Sequence, residues 1–192
     1  MARQDKPTLN VMVDIETVGT KPGCGILSIG ACTFGVPEGT LKECFYIQIS
    51  EFSLHDRDFI FEPATIDWWR KQPHEAFAEA FSGTVNIEQA MLAFRNFIET
   101  WMKTHNVLLW GNGSDFDVVI LRAAFDKLGL EFTLPYYNHR CFRTLKNLFP
   151  NIKSEVAPVG LKHTAIADAI NQANHAEAIL KWLISNSSHR QE

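Results

Sequence analysis

Apolar residues fall in short strand-like runs over the first third of the chain and recur with a helical period over the remainder. LNVMVDIET (9–17) is apolar and β-branched, and the turn-rich GTKPGCG separates it from ILSIGACTFGV (26–36). After PEGT (37–40) comes LKECFYIQIS (41–50), with partial alternation. Three strands joined by short turns predict an antiparallel meander.

From residue 62 the period changes. EPATIDWWRKQ (62–72) and NIEQAMLAFRNFIETWMKTH (86–105) carry helical spacing, with Ile87, Met91, Phe94 and Ile98 on one side of the second and Asn86 placed to cap it. NVLLWGN (106–112) reads as a buried strand, FDVVILRAAFDKLG (116–129) as a helix closed by Gly129, and HTAIADAINQANHAEAILKWLIS (163–185) as a long final helix. The fold class is therefore α/β, a mixed sheet flanked by helices.

The 192 residues suit a single domain spanning 1–192, with flexible ends expected at about 1–7 and 186–192. Apolar residues make up 46% and charged ones 21%, an ordinary globular balance. There is no apolar run of membrane-spanning length and no signal-peptide core, so the expected location is the cytoplasm. Cys24, Cys32, Cys44 and Cys141 match no zinc or redox spacing and are expected to be buried thiols. The net charge of −4, without a basic stripe, argues against a long phosphate grip. If nucleic acid is bound, the positive charge must be local or supplied by cations.

Asp14 and Glu16 interrupt the first strand. Residues two apart in a strand point to one face, so the two carboxylates project together and call for a positive partner. The plain alternative is a hydrated strand end. WGNGSDFDVVIL (110–121) carries Asp115 and Asp117 where a buried strand ends and a helix begins; Ser114 or Asp115 is expected to cap that helix, leaving Asp117 for the site. KHTAIADA holds His163 and Asp168, about 140° apart on a regular helix, which places His163 on the loop or first turn and Asp168 inside the helix. Carboxylates from a first strand, a later helix start and a last helix converge at one sheet edge. An oxygen donor set without Cys or paired His suits Mg²⁺ or Mn²⁺.

With D14-I-E16, F116-D117 followed by Leu121, and H163-x4-D168 in this order, the chain resembles the DEDDh 3′-to-5′ exonucleases of the ribonuclease H-like superfamily. The resemblance spans roughly residues 9 to 184. DIETVGTKPGCGILSIGA, TIDWWRKQ and WGNGSDFDVVILRAAF are similar to the mycobacterial, enterobacterial and phage exoribonuclease branch, sometimes labelled exonuclease VIII-like. One departure is the spacing N112-x-x-x-F116-D117, one residue longer than the wider family's.

The resemblance implies a ribonuclease H-like mixed sheet, two divalent cations and release of nucleoside monophosphates from single-stranded RNA or 3′ overhangs. It further implies that Asp14 bridges both ions, Glu16 and Asp168 complete one site, Asp117 serves the second partly through water, and His163 accepts a proton. Thr17 and Val18 are expected to meet the terminal ribose and base. Of Trp68 and Trp69 at most one faces the cleft, with Trp69 the choice and core packing of both the alternative. Lys162 and Arg143 read as solvated or structural. A DNA-directed exonuclease and a non-catalytic nucleic-acid-binding module are the competing functions. Family members are often dimers, which implies a homodimer here.

Overall fold

The computed structural model describes residues 6–35 and 42–187. Strands β1 (Thr8–Thr17), β2 (Ile26–Phe34) and β3 (Cys44–Gln48) form the expected antiparallel meander. The PEGT turn and the outer ends of the expected second and third strands fall in residues 36–41, outside the described residues. Four helices follow: α1 (Glu51–Asp56), α2 (Pro63–Trp69), α3 (His74–Ala80) and α4 (Ile87–Met102). Then come β4 (Asn106–Gly111), α5 (Asp117–Lys127), β5 (His139–Cys141), α6 (Phe142–Leu148) and α7 (Ala165–Ser187).

The sheet order is β3-β2-β1-β4-β5, with β4 and β5 parallel to β1. β1 therefore lies at the centre. Its alternating residues serve two cores: Val11, Val13 and Ile15 join the large cluster with Phe94, Ile98, Leu121 and Phe125 from α4 and α5. Met12 joins the smaller one with Trp110, Phe142, Ala169 and Ala173 on the α7 side. With both faces covered, β2 is buried along its whole length and is apolar but for Ser28 and Thr33.

Asn86 caps α4 as expected, its side chain accepting from the Glu88 N–H at 2.8 Å. Gly129 follows α5 with φ +66°, the left-handed conformation that favours glycine after a helix. At the ends of the chain, Lys6 donates to the Met102 carbonyl and Pro7 accepts from the Asn106 N–H, so this part of the expected flexible N-terminus is tied down. Residues 186 and 187 close α7; residues 1–5 and 188–192 lie outside the described residues. No described helix is long and apolar enough to cross a membrane.

The cysteines correct one expectation. Cys24 and Cys32 are buried, Cys141 is half-buried and Cys44 is exposed, because Cys44 opens the edge strand β3.

Candidate active site

Asp14 and Glu16 occupy the face of β1 that looks toward α7, alternating with the core residues Val13 and Ile15. A register shift between Glu16 and Thr17 ends the regular β1–β2 pairing beside them. Opposite Asp14 in the ladder stands Gly30. A Cβ on Gly30 would lie 2.3 Å from the Ala165 carbonyl carbon, so its missing side chain lets the first turn of α7 rest directly on the sheet. That contact delivers Asp168. Carboxylate oxygens of Asp14, Glu16 and Asp168 come within 4.8 Å of one another.

Asp117 lies outside that trio but next to it. It is the first residue of α5, 2% exposed, and its Oδ2 accepts the Asn112 N–H at 2.7 Å. Gly111 leaves the space it needs, since a Cβ there would meet Oδ2 at 2.9 Å. Asp115 is exposed, and α5 starts without a side-chain cap. The expected capping by Ser114 or Asp115 is therefore not made; Asp117 ties the preceding loop itself.

All four acids are held above their ordinary pKa. Burial raises Asp14, with repulsion from Asp117, Glu16 and Asp168 adding to it and a hydrogen bond from Gln172 opposing it. Burial, then Asp168, Glu79 and Asp117, push Glu16 up to about 8. Burial takes Asp117 to about 6 against N–H donors from Asn112 and Ile15 and the Arg143 charge. Asp168 is raised by burial, partly offset by His163 and Lys162. None of the four forms a salt bridge with a described lysine or arginine. Buried, converging carboxylates that stay raised despite these nearby charges fit a divalent cation, and the all-oxygen donor set fits a hard one.

His163 lies in the turn before α7 with φ +62°, a conformation uncommon for residues with a side chain. Its ring meets Trp68 edge-on at 5.2 Å, and its main-chain N–H supports Asp168. Lys162 and Arg143 are exposed, as expected, yet both stand close enough to favour the charged form of an acid in the cluster.

Beside the acids opens a cleft of about 450 Å³ whose walls include Glu16, Thr17, Thr20, Glu62, Trp68 and Phe116. Thr17 lies at its edge, its hydroxyl donating to the Gly19 carbonyl at 2.6 Å. Two expectations need amending here. Trp69 borders the cleft, yet it is 1% exposed and donates its indole N–H to the Thr17 carbonyl at 2.9 Å, so it chiefly braces the strand end from within the core. Trp68, 42% exposed, is the one of the pair with a free surface. Val18 is fully buried, its N–H given to Gly25 and its carbonyl to Glu62, which leaves it nothing to offer a ribose.

The sequence reading missed Gln172, which donates to Asp14 Oδ1 at 2.7 Å. Its signal was available: four residues beyond Asp168, it repeats that residue's helix face one turn on. Glu79, a further acid acting on Glu16, carries no comparable signal, since only the folding of α3 against β3 brings it near.

The same architecture occurs in solved nucleases. The nuclease domain of 3′hExo, a DEDDh family member crystallised with rAMP, superposes with a TM-score of 0.62 at 12% identity over 94% of both chains. Exonuclease I of E. coli, in a zinc-bound complex with single-stranded DNA, gives 0.60 at 14% identity; the match covers 94% of this chain and 43% of that one. Cell-death related nuclease 4 gives 0.53 at 12% identity, over 92% and 64%. No curated protein matches the sequence significantly. At these identities the likeness establishes the fold, that of the DEDDh exonucleases. The family model for the Rv2179c-like 3′-5′ exoribonuclease domain matches residues 9–180, so the chain belongs to that family and is a 3′-5′ exonuclease.

Proposed function

We propose that the protein removes nucleoside monophosphates from the 3′ end of single-stranded RNA or 3′ overhangs in the cytoplasm, with Asp14, Glu16, Asp117 and Asp168 holding two Mg²⁺ or Mn²⁺ ions. The observation that carries this reading is the meeting of three carboxylates within 4.8 Å beside an aromatic-walled cleft, with none of them in a salt bridge among the described residues. Bound divalent cations supply phosphate charge neutralisation and water activation, a task that buried carboxylates alone work against.

The chain's own residues do the rest. Gln172 fixes the Asp14 carboxylate by occupying Oδ1, and Asn112 does the same for Asp117 through Oδ2. His163 accepts the proton of the attacking water at an imidazole nitrogen, its ring steadied against Trp68. Trp68 and Phe116 offer aromatic surface to the terminal base, and Thr17 and Glu16 border the place where its ribose sits. So short a grip is in keeping with a protein of net charge −4, which cannot track a long phosphate backbone. The homodimer implied by the resemblance is part of the proposal and is read by light scattering.

Matched 5′-labelled RNA and DNA strands incubated with Mn²⁺, Mg²⁺ or EDTA test the reading. It requires a ladder shortening from the 3′ end, with metal only and faster on RNA. Faster DNA shortening moves the assignment to a deoxyribonuclease, and intact strands in every tube leave a binding module.

A further inference from the structure

We propose that Cys32 and Cys44 form an oxidisable dithiol, a modification site that closes reversibly into an intrachain disulfide. The two residues are register partners in the antiparallel β2–β3 ladder. Within this ladder the Thr33 N–H bonds to the Glu43 carbonyl at 2.9 Å and the Ile49 N–H to the Leu27 carbonyl at 2.7 Å. Hydrogen-bonded pairs alternate along such a ladder, so the pairs 33–43 and 27–49 fix 32–44 as a non-hydrogen-bonded pair. At those positions Cα atoms stand about 4.5 Å apart and side chains are closest. That separation falls at the lower end of the range of about 4.4–6.8 Å that a disulfide spans, so the bond needs at most a small local adjustment of the strands.

The two thiols differ in access, which orders the chemistry. Cys44 is exposed, whereas Cys32 is 1% exposed and lies beneath α7. Burial first, and then contact with the Cys44 thiol, push the Cys32 thiol up to about 12, while the nearby Lys42 charge favours its thiolate. Cys44 is thus the entry sulfur and Cys32 the resolving one. With a hydroperoxide as oxidant, the Cys44 sulfur takes one peroxide oxygen to become a sulfenic acid, and the other oxygen leaves as water. The Cys32 sulfur then attacks the sulfenic sulfur; the S–S bond forms, and the expelled hydroxyl leaves as water with the Cys32 proton. Two thiols are oxidised and one peroxide is reduced to two waters. A reducing cytosol returns the pair to the dithiol.

Cys24 and Cys141 provide internal controls, since neither shares a ladder position with another cysteine. The test treats the full chain with one equivalent of hydrogen peroxide, then counts thiols in denaturant and maps peptides without reductant. The expected result is a fall from four thiols to two, with the peptides of Cys32 and Cys44 joined and separated again by dithiothreitol. Cys44→Ser should keep its three thiols under the same treatment, and Cys141→Ser should still form the link. Cys44 oxidised to sulfinic acid, or joined to a second chain, while Cys32 remains open to alkylation after unfolding, overturns the proposal. Since peptide mapping of the unmutated chain decides the matter, a misfolding variant does not rescue it.

Discussion

Gly30 lies so close beneath Ala165 that a Cβ on the glycine would sit 2.3 Å from the alanine's carbonyl carbon and 2.3 Å from the following nitrogen. The contact is backbone against backbone, so it cannot relax by turning a side chain. It sets the height of α7 above the sheet, and with it the distance from Asp168 to Asp14 and Glu16.

Gly30→Ala should therefore lift the start of α7 and spread the acids. Overpacking of this kind costs about 1–3 kcal/mol, and a displacement of about 1 Å at a reacting centre costs on the order of 10²-fold in rate. Turnover and melting temperature measured together check this: the expected variant is folded, somewhat less stable and nearly inactive. Full activity would mean the contact does not set the geometry of the site.

In the proposed mechanism His163 serves the chemistry and Asp14 the cations. His163→Ala is expected to lose about 10² to 10⁴-fold in turnover while retaining stabilisation by Mn²⁺. Asp14→Asn should lose both. Thermal shifts with added Mn²⁺ alongside single-turnover rates distinguish them, and equal loss of cation response in the two variants would contradict the division of roles.

The raised carboxyls give the cation-free protein an unusual pH response. Glu16 titrates near 8 in the folded chain against 4.5 for an ordinary glutamate, and Asp117 near 6 against 3.8. Between those values the folded state holds protons that the unfolded state has released, so folding stability falls as pH rises. In EDTA the melting temperature should drop between about pH 4.5 and 8. Adding Mn²⁺ should then restore more stability at pH 8 than at pH 5. A melting temperature that climbs through this window in EDTA would show that the acids are not buried together as described.

Trp68 and Trp69 are neighbours in sequence with opposite fates. Trp68→Ala should weaken RNA binding by about 1–3 kcal/mol, seen as a raised KM, with little change in stability. Trp69→Ala removes a buried indole and its bond to Thr17, so a loss of about 3–5 kcal/mol in folding is expected. Denaturant titration and KM values read the two effects separately.

These two tryptophans also mark where the sequence stops being legible. In the seven-residue helix α2 there is too little periodic signal to fix which neighbour faces inward; packing against Phe81 and the Thr17 carbonyl decides it. Long patterns were readable because burial on one face repeats many times: β1, β2, α4, α5 and α7 all follow their sequence runs. Of the short elements β3, β4 and α2 were readable too, but the others were not. The helices α1, α3 and α6 have six or seven residues, and β5 has three, so tertiary contact rather than local pattern forms them. The acids of the site stood out because charge in an apolar run is costly. Gly30 and Gln172 did not, since a glycine's role as spacer and an amide's role as brace exist only once α7 lies on the sheet.

Asp14, Glu16, Asp117 and Asp168 are proposed to enclose cations, and crystals grown with Mn²⁺ would reveal them through the anomalous scattering of manganese. Two peaks about 3.5–4 Å apart, bounded by these four carboxylates, are expected. A map without manganese among them, at a concentration that supports cleavage of RNA, would contradict the proposal.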